Sequence, residues 1–127
     1  MSMIEAIRTA LDRGADTFAA LSRIEGFAGP YQLMCDQNLV VWRGVSEEAC
    51  EALNHLLAAK EIHYKPTSPA VYAYYGIGLV DLPIARGFRP YKRPHWLPVL
   101  LKRGPLPGKK KPLGEVMPLS KAPQHVE

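Results

Sequence analysis

Four histidines and two cysteines are the side chains in this 127-residue chain best suited to chemistry, and their spacing argues against it. His55, His63, His95 and His125 are scattered, with no H-x-x-x-H or H-E-x-x-H arrangement to gather a zinc ion. Cys35 and Cys50 stand too far apart for a C-x-x-C metal or redox pair. A Cys50–His55 nucleophilic pair is disfavoured because five helical positions put the two side chains on different faces. Cys50 reads better as a small core residue, and His63 as one face of a strand. The chain has no P-loop, no GxGxxG and no GxSxG, and Gly76-Ile77-Gly78 lacks both a third glycine and a following helix. The expectation is a non-enzymatic protein with no catalytic residue, metal or cofactor.

Binding chemistry is better supplied. In Phe88-Arg89-Pro90-Tyr91-Lys92-Arg93-Pro94-His95-Trp96, aromatics alternate with cations, a composition able to stack on bases while tracking phosphates. The same residues suit a different role, in which Phe88, Tyr91 and Trp96 clamp the segment to the body and the charges face water. Tyrosines 72, 74 and 75 read more readily as packing residues than as a second stacking platform.

Charge is strongly segregated along the chain. Residues 1 to 85 hold six basic and ten acidic side chains, or −4, whereas residues 86 to 127 hold ten basic and two acidic, or +8. A mildly acidic body with a basic extension fits attraction to a polyanion such as DNA, or simply a tail kept in water by its charge. Nine of the twelve prolines lie from Pro83 onward, which excludes a long helix there because each interior proline costs about 3 kcal/mol. Two parts are therefore expected: a body over residues 1–85, and a basic, proline-rich arm and tail over 86–127. Residues 88–103 would wrap over the body or dock on a partner, and 104–127 would be disordered.

Punctuation sets the elements. Ile4, Ile7 and Leu11 recur at helical spacing before Gly14, and Asp16-Thr17 can cap a second helix carrying Phe18, Leu21 and Ile24. Residues 30–37 read as either one helical turn or a packed loop, and Leu39-Val40-Val41-Trp42 as a buried strand. Ser46 can cap a third helix whose first turn holds Glu47 and Glu48, with Ala49, Leu53, Leu56 and Leu57 on its apolar side and an end near Lys60. Ile62–Lys65 and Val71–Tyr75 would then be two strands of a hairpin turned at Pro66-Thr67-Ser68-Pro69.

No apolar run approaches the roughly 20 residues of a membrane span. The start, Met1-Ser2-Met3-Ile4-Glu5, lacks the basic and apolar regions of a secretory signal, so a cytoplasmic location is expected, with both cysteines reduced.

The order of a capped helix and then a hairpin over residues 46–76, preceded by two helices, resembles winged helix-turn-helix proteins, mostly DNA-binding regulators often found in mobile elements. The resemblance spans residues 3–76 and lies in element order and apolar pattern. It implies an α+β fold of three helices plus a small antiparallel wing. It further implies that Glu51, Asn54, His55 and Ala58 face a major groove while Lys65, Thr67 and Ser68 reach the backbone or minor groove. With Arg43 in the body and Arg86, Arg89, Lys92 and Arg93 in the arm, these make the candidate nucleic-acid contacts. The leading expectation is a small DNA-binding accessory or regulatory protein. The alternative is a protein-interaction module, adaptor or inhibitor, using residues 88–103; a homodimer stays open.

Overall fold

The computed structural model describes residues 2–74, 76, 81–105 and 120–123. Helix α1 (Met3–Asp12) starts where the Ser2 hydroxyl accepts the Glu5 amide, and it buries Met3, Ile7 and Leu11 along one stripe. Thr17 caps α2 (Phe18–Leu21), a single turn and much shorter than the 16–25 pattern suggests. Strands β1 (Ala28–Asp36) and β2 (Leu39–Val45) follow as an antiparallel hairpin, so of the ambiguous residues 30–37 all but Gln37 are strand. Its turn is Gln37-Asn38, with Asn38 in the left-handed region (φ 55°) that asparagine tolerates. Gly29 lies so close to Ser46 that any Cβ there would overlap the Ser46 backbone.

Helix α3 (Glu47–Ala58) is capped by Ser46, whose hydroxyl accepts the Ala49 amide, and its buried side holds Ala49, Cys50, Leu53, Leu56 and Leu57. The helix ends in a Schellman arrangement: Lys60 N–H donates to Leu57 and Glu61 N–H to Leu56, with Lys60 at φ 61°. Strand β3 (Ile62–Pro66) comes next, and here the structure departs from the expected wing. Residues Pro69–Ala73 are helix α4, started by the Ser68 hydroxyl and a proline at the first helical position, where its missing N–H costs nothing. Tyr75, the end of the expected second wing strand, and the pair Ile77-Gly78 lie outside the described residues.

The partner of β3 is β5 (Val99–Arg103), antiparallel from Ile62–Arg103 to Pro66–Val99. Short β4 (His95–Trp96) runs parallel to the start of β2, and β6 (Ser120–Pro123) pairs with β1, giving a second sheet ordered β4-β2-β1-β6. A boundary at 85/86 consequently falls inside the packed unit. Trp96, Leu97, Val99 and Leu101 are core residues, and without β5 the strand β3 would lose its ladder. The tail expected to be disordered holds the edge strand β6; Lys109, Lys110, Lys111 and His125 lie outside the described residues.

At the centre an aromatic cluster joins these layers. Trp42 stacks on Phe18 (centroids 6.0 Å apart, 10° between planes) and meets Tyr72 and Trp96 at 5.2 and 6.4 Å. Tyr64 packs edge-on against Phe18, and Trp42 Nε1 donates to the Ser22 hydroxyl. The protein is thus a mixed α+β protein, and no helix among the described residues is long and apolar enough to cross a membrane.

Candidate nucleic-acid interface

The connection from Asp81 to Pro94 is irregular in secondary structure yet heavily tied down. Tyr91 is its hub. The Tyr91 N–H donates to the Gln37 carbonyl at 3.0 Å, and the Tyr91 carbonyl accepts from Asn38 Nδ2 at 3.0 Å. The Tyr91 hydroxyl accepts the Arg86 amide at 2.8 Å and Arg89 Nε at 3.3 Å. Those two donors, the Arg86 amide first, hold the phenol below the ordinary tyrosine range. On the far side of the loop the His95 amide donates to the Asn38 carbonyl at 2.8 Å, so the hairpin turn and the basic segment are clasped together.

The ring of Tyr91 lies against His95, with centroids 3.9 Å apart and planes 18° from parallel, and the Arg89 guanidinium sits 5.7 Å from the Tyr91 centroid. His95 Nδ1 faces the Arg93 carbonyl at 2.8 Å, which requires the proton on Nδ1 and leaves Nε2 as the ring's other polar atom.

Arg86, Arg89, Lys92 and Arg93 are all exposed on this loop. Among the described residues none of the four forms an ion pair, whereas other basic residues do. Arg8 meets Glu61, Lys102 meets Asp16, and Arg103 meets Asp12. Arg43, on β2, is also occupied: it reaches Asp81 at 3.1 Å and Gln32 at 3.3 Å, and thereby anchors the start of the same connection. Its charge is balanced there by the Asp81 carboxylate.

The other sequence candidates belong to different elements. Asn54 and His55 are on α3. Exposed His55 borders an open cavity of about 350 Å³ with Met3, Ile4, Ala52 and the carboxylates Glu48 and Glu51. That surface is acidic, which opposes phosphate. Among the described residues no group of three His, Cys, Asp or Glu side chains could hold a metal ion. Lys65 is an exposed side chain one residue before the end of β3; the Thr67 amide donates to the Pro98 carbonyl, and Ser68 caps α4. No wing tip forms around them, because the chain turns into α4 instead of a second strand.

Nothing local in the sequence says that Gln37 and Asn38, which position the loop, will hold a segment fifty residues away in the chain. Both cysteines are buried and unbridged, and burial, with Asp36 adjoining, pushes the Cys35 thiol up to about 12.

No protein-family model, curated protein or solved structure matches the chain.

Proposed function

We propose that this chain is a small, non-enzymatic nucleic-acid-binding protein that meets its ligand through the loop of residues 86–95. The observation that carries this reading is the group of four exposed cations, Arg86, Arg89, Lys92 and Arg93, without carboxylate partners among the described residues, on a loop already held in shape by Tyr91. Cations displayed on an ordered backbone bind polyanions with less entropy to lose than cations on a free tail. In this reading α3 does not enter a groove. Its first turns carry Glu47, Glu48 and Glu51, and the wing that would accompany it is helix α4.

The protein-partner alternative has less in its favour. Trp96 and Leu97, the strongest apolar anchors of the segment, are buried in this chain's own core.

Fluorescence polarisation with labelled oligonucleotides over a salt series tests the proposal. Four phosphate contacts correspond to a slope of log affinity against log salt of about −3. Arg89→Glu, Lys92→Glu and Arg93→Glu together should abolish binding while leaving the melting temperature nearly unchanged, since all three side chains are exposed. Absence of binding by the native protein at low salt overturns it.

A further inference from the structure

Resting on the nucleic-acid reading above, we propose that Arg89, Tyr91 and His95 form a stacking site for an unpaired base, so that the ligand is single-stranded nucleic acid.

The three side chains form one cluster. His95 lies flat on Tyr91 and the Arg89 guanidinium sits beside the same ring. Arg89 is its exposed member, and a planar guanidinium accepts a nucleobase face as readily as an aromatic ring does. A base settling on the Arg89 guanidinium joins this cluster, and Lys92 and Arg93, exposed one and two residues past Tyr91 in the chain, supply cations for the neighbouring phosphates. Every base offers a π-face, so such a site tolerates any sequence.

Duplex does not offer what this cluster takes, because paired bases have both faces covered by their neighbours. A duplex reader needs instead an element shaped for a groove, commonly a helix. The exposed strip of α3 is acidic at its N-terminal end. The loop, by contrast, is built to hold a plane still. The Tyr91 backbone is bonded at both its N–H and its carbonyl to the β1–β2 turn, and its hydroxyl is bonded twice to the arginine segment. A platform immobilised before the ligand arrives loses little freedom when a base settles on it.

The experiment compares oligo-dT, oligo-rU and a mixed-sequence duplex of equal length by polarisation at one low salt concentration, for the native protein and for Arg89→Lys. The substitution keeps the charge and removes the plane. The expected result is single-strand binding at least tenfold tighter than duplex. Arg89→Lys should lose about tenfold on single strands, with the salt slope and the duplex affinity unchanged. Tighter binding of oligo-dT or of oligo-rU then says whether DNA or RNA is the natural ligand, and either supports the site. Tyr91→Leu, which removes the ring, should lose at least as much, whereas Tyr91→Phe, which keeps it, should lose less; melting curves confirm that both remain folded. Duplex bound as tightly as single strands, or Arg89→Lys bound like the native protein, overturns the stacking site while the nucleic-acid reading survives. Failure of all three probes to bind overturns both.

Discussion

The Tyr72 hydroxyl donates to the Val99 carbonyl at 2.7 Å and at the same time accepts the Phe18 amide at 3.0 Å. One fully buried phenol thereby joins α4, β5 and the first turn of α2. Tyr72→Phe fits the same space but strips two buried backbone groups of that partner. It should destabilise the fold by about 1 to 3 kcal/mol, read from urea unfolding midpoints at constant slope.

Tyr64 supplies the contrast. Its hydroxyl is buried with no hydrogen-bond partner among the described residues, and burial raises its pKa well above the ordinary tyrosine value. Tyr64→Phe should therefore be neutral or stabilising by up to about 1 kcal/mol, since nothing is left unpaired when the oxygen goes. A loss comparable with that of Tyr72→Phe would mean that the hydroxyl does find a partner.

Alkaline stability should report on Cys35. Its folded-state pKa is raised from 9.0 to about 12, so the thiol favours folding fully below pH 9. Above that, the unfolded chain ionises while the folded one keeps its proton. Stability then falls with rising pH until about 12, with a slope approaching 1.4 kcal/mol per unit from this one group. Unfolding midpoints measured from pH 8 upward should decline more gently in Cys35→Ala than in the native chain; parallel declines would assign the effect elsewhere.

Lys60 holds the left-handed position after α3 at φ 61°, where a side chain is strained. Lys60→Gly should raise stability by roughly 1 kcal/mol, because glycine occupies that region without steric cost and both Schellman bonds use only backbone. A thermal melt that moves down would show that the lysine side chain contributes more than the strain removes.

Asn38→Gly separates loop order from loop charge. Glycine accepts the turn's φ of 55°, so the hairpin persists, but the bond from Asn38 Nδ2 to the Tyr91 carbonyl is lost. Stability should change by less than about 1.5 kcal/mol, the typical net value of one such bond. Oligonucleotide affinity should fall severalfold, because ordering the loop is then deferred to binding. Unchanged affinity in a polarisation titration would show that the clasp does not prepare the loop for its ligand.

The sequence by itself determined the elements whose signals are local. Thr17, Ser46 and the apolar stripes of α1 and α3 announce helices because capping and 3.6-residue periodicity involve neighbours within a few positions. Val40, Val41 and Trp42 announce β2, and the count of charges announces a basic C-terminal third. Only the tertiary structure decided which strands pair. Pro66-Thr67-Ser68-Pro69 serves equally well as a hairpin turn or as the cap of a new helix, and β3 settles the matter by pairing with β5, far along the chain. Strand partnership is a contact between distant segments, so no local pattern encodes it. Likewise composition shows that residues 86–95 mix cations with aromatics, but the clasp of Tyr91 onto Gln37 and Asn38 brings together two surface segments through backbone groups that every residue carries. Which backbone groups meet is settled by how the chain packs.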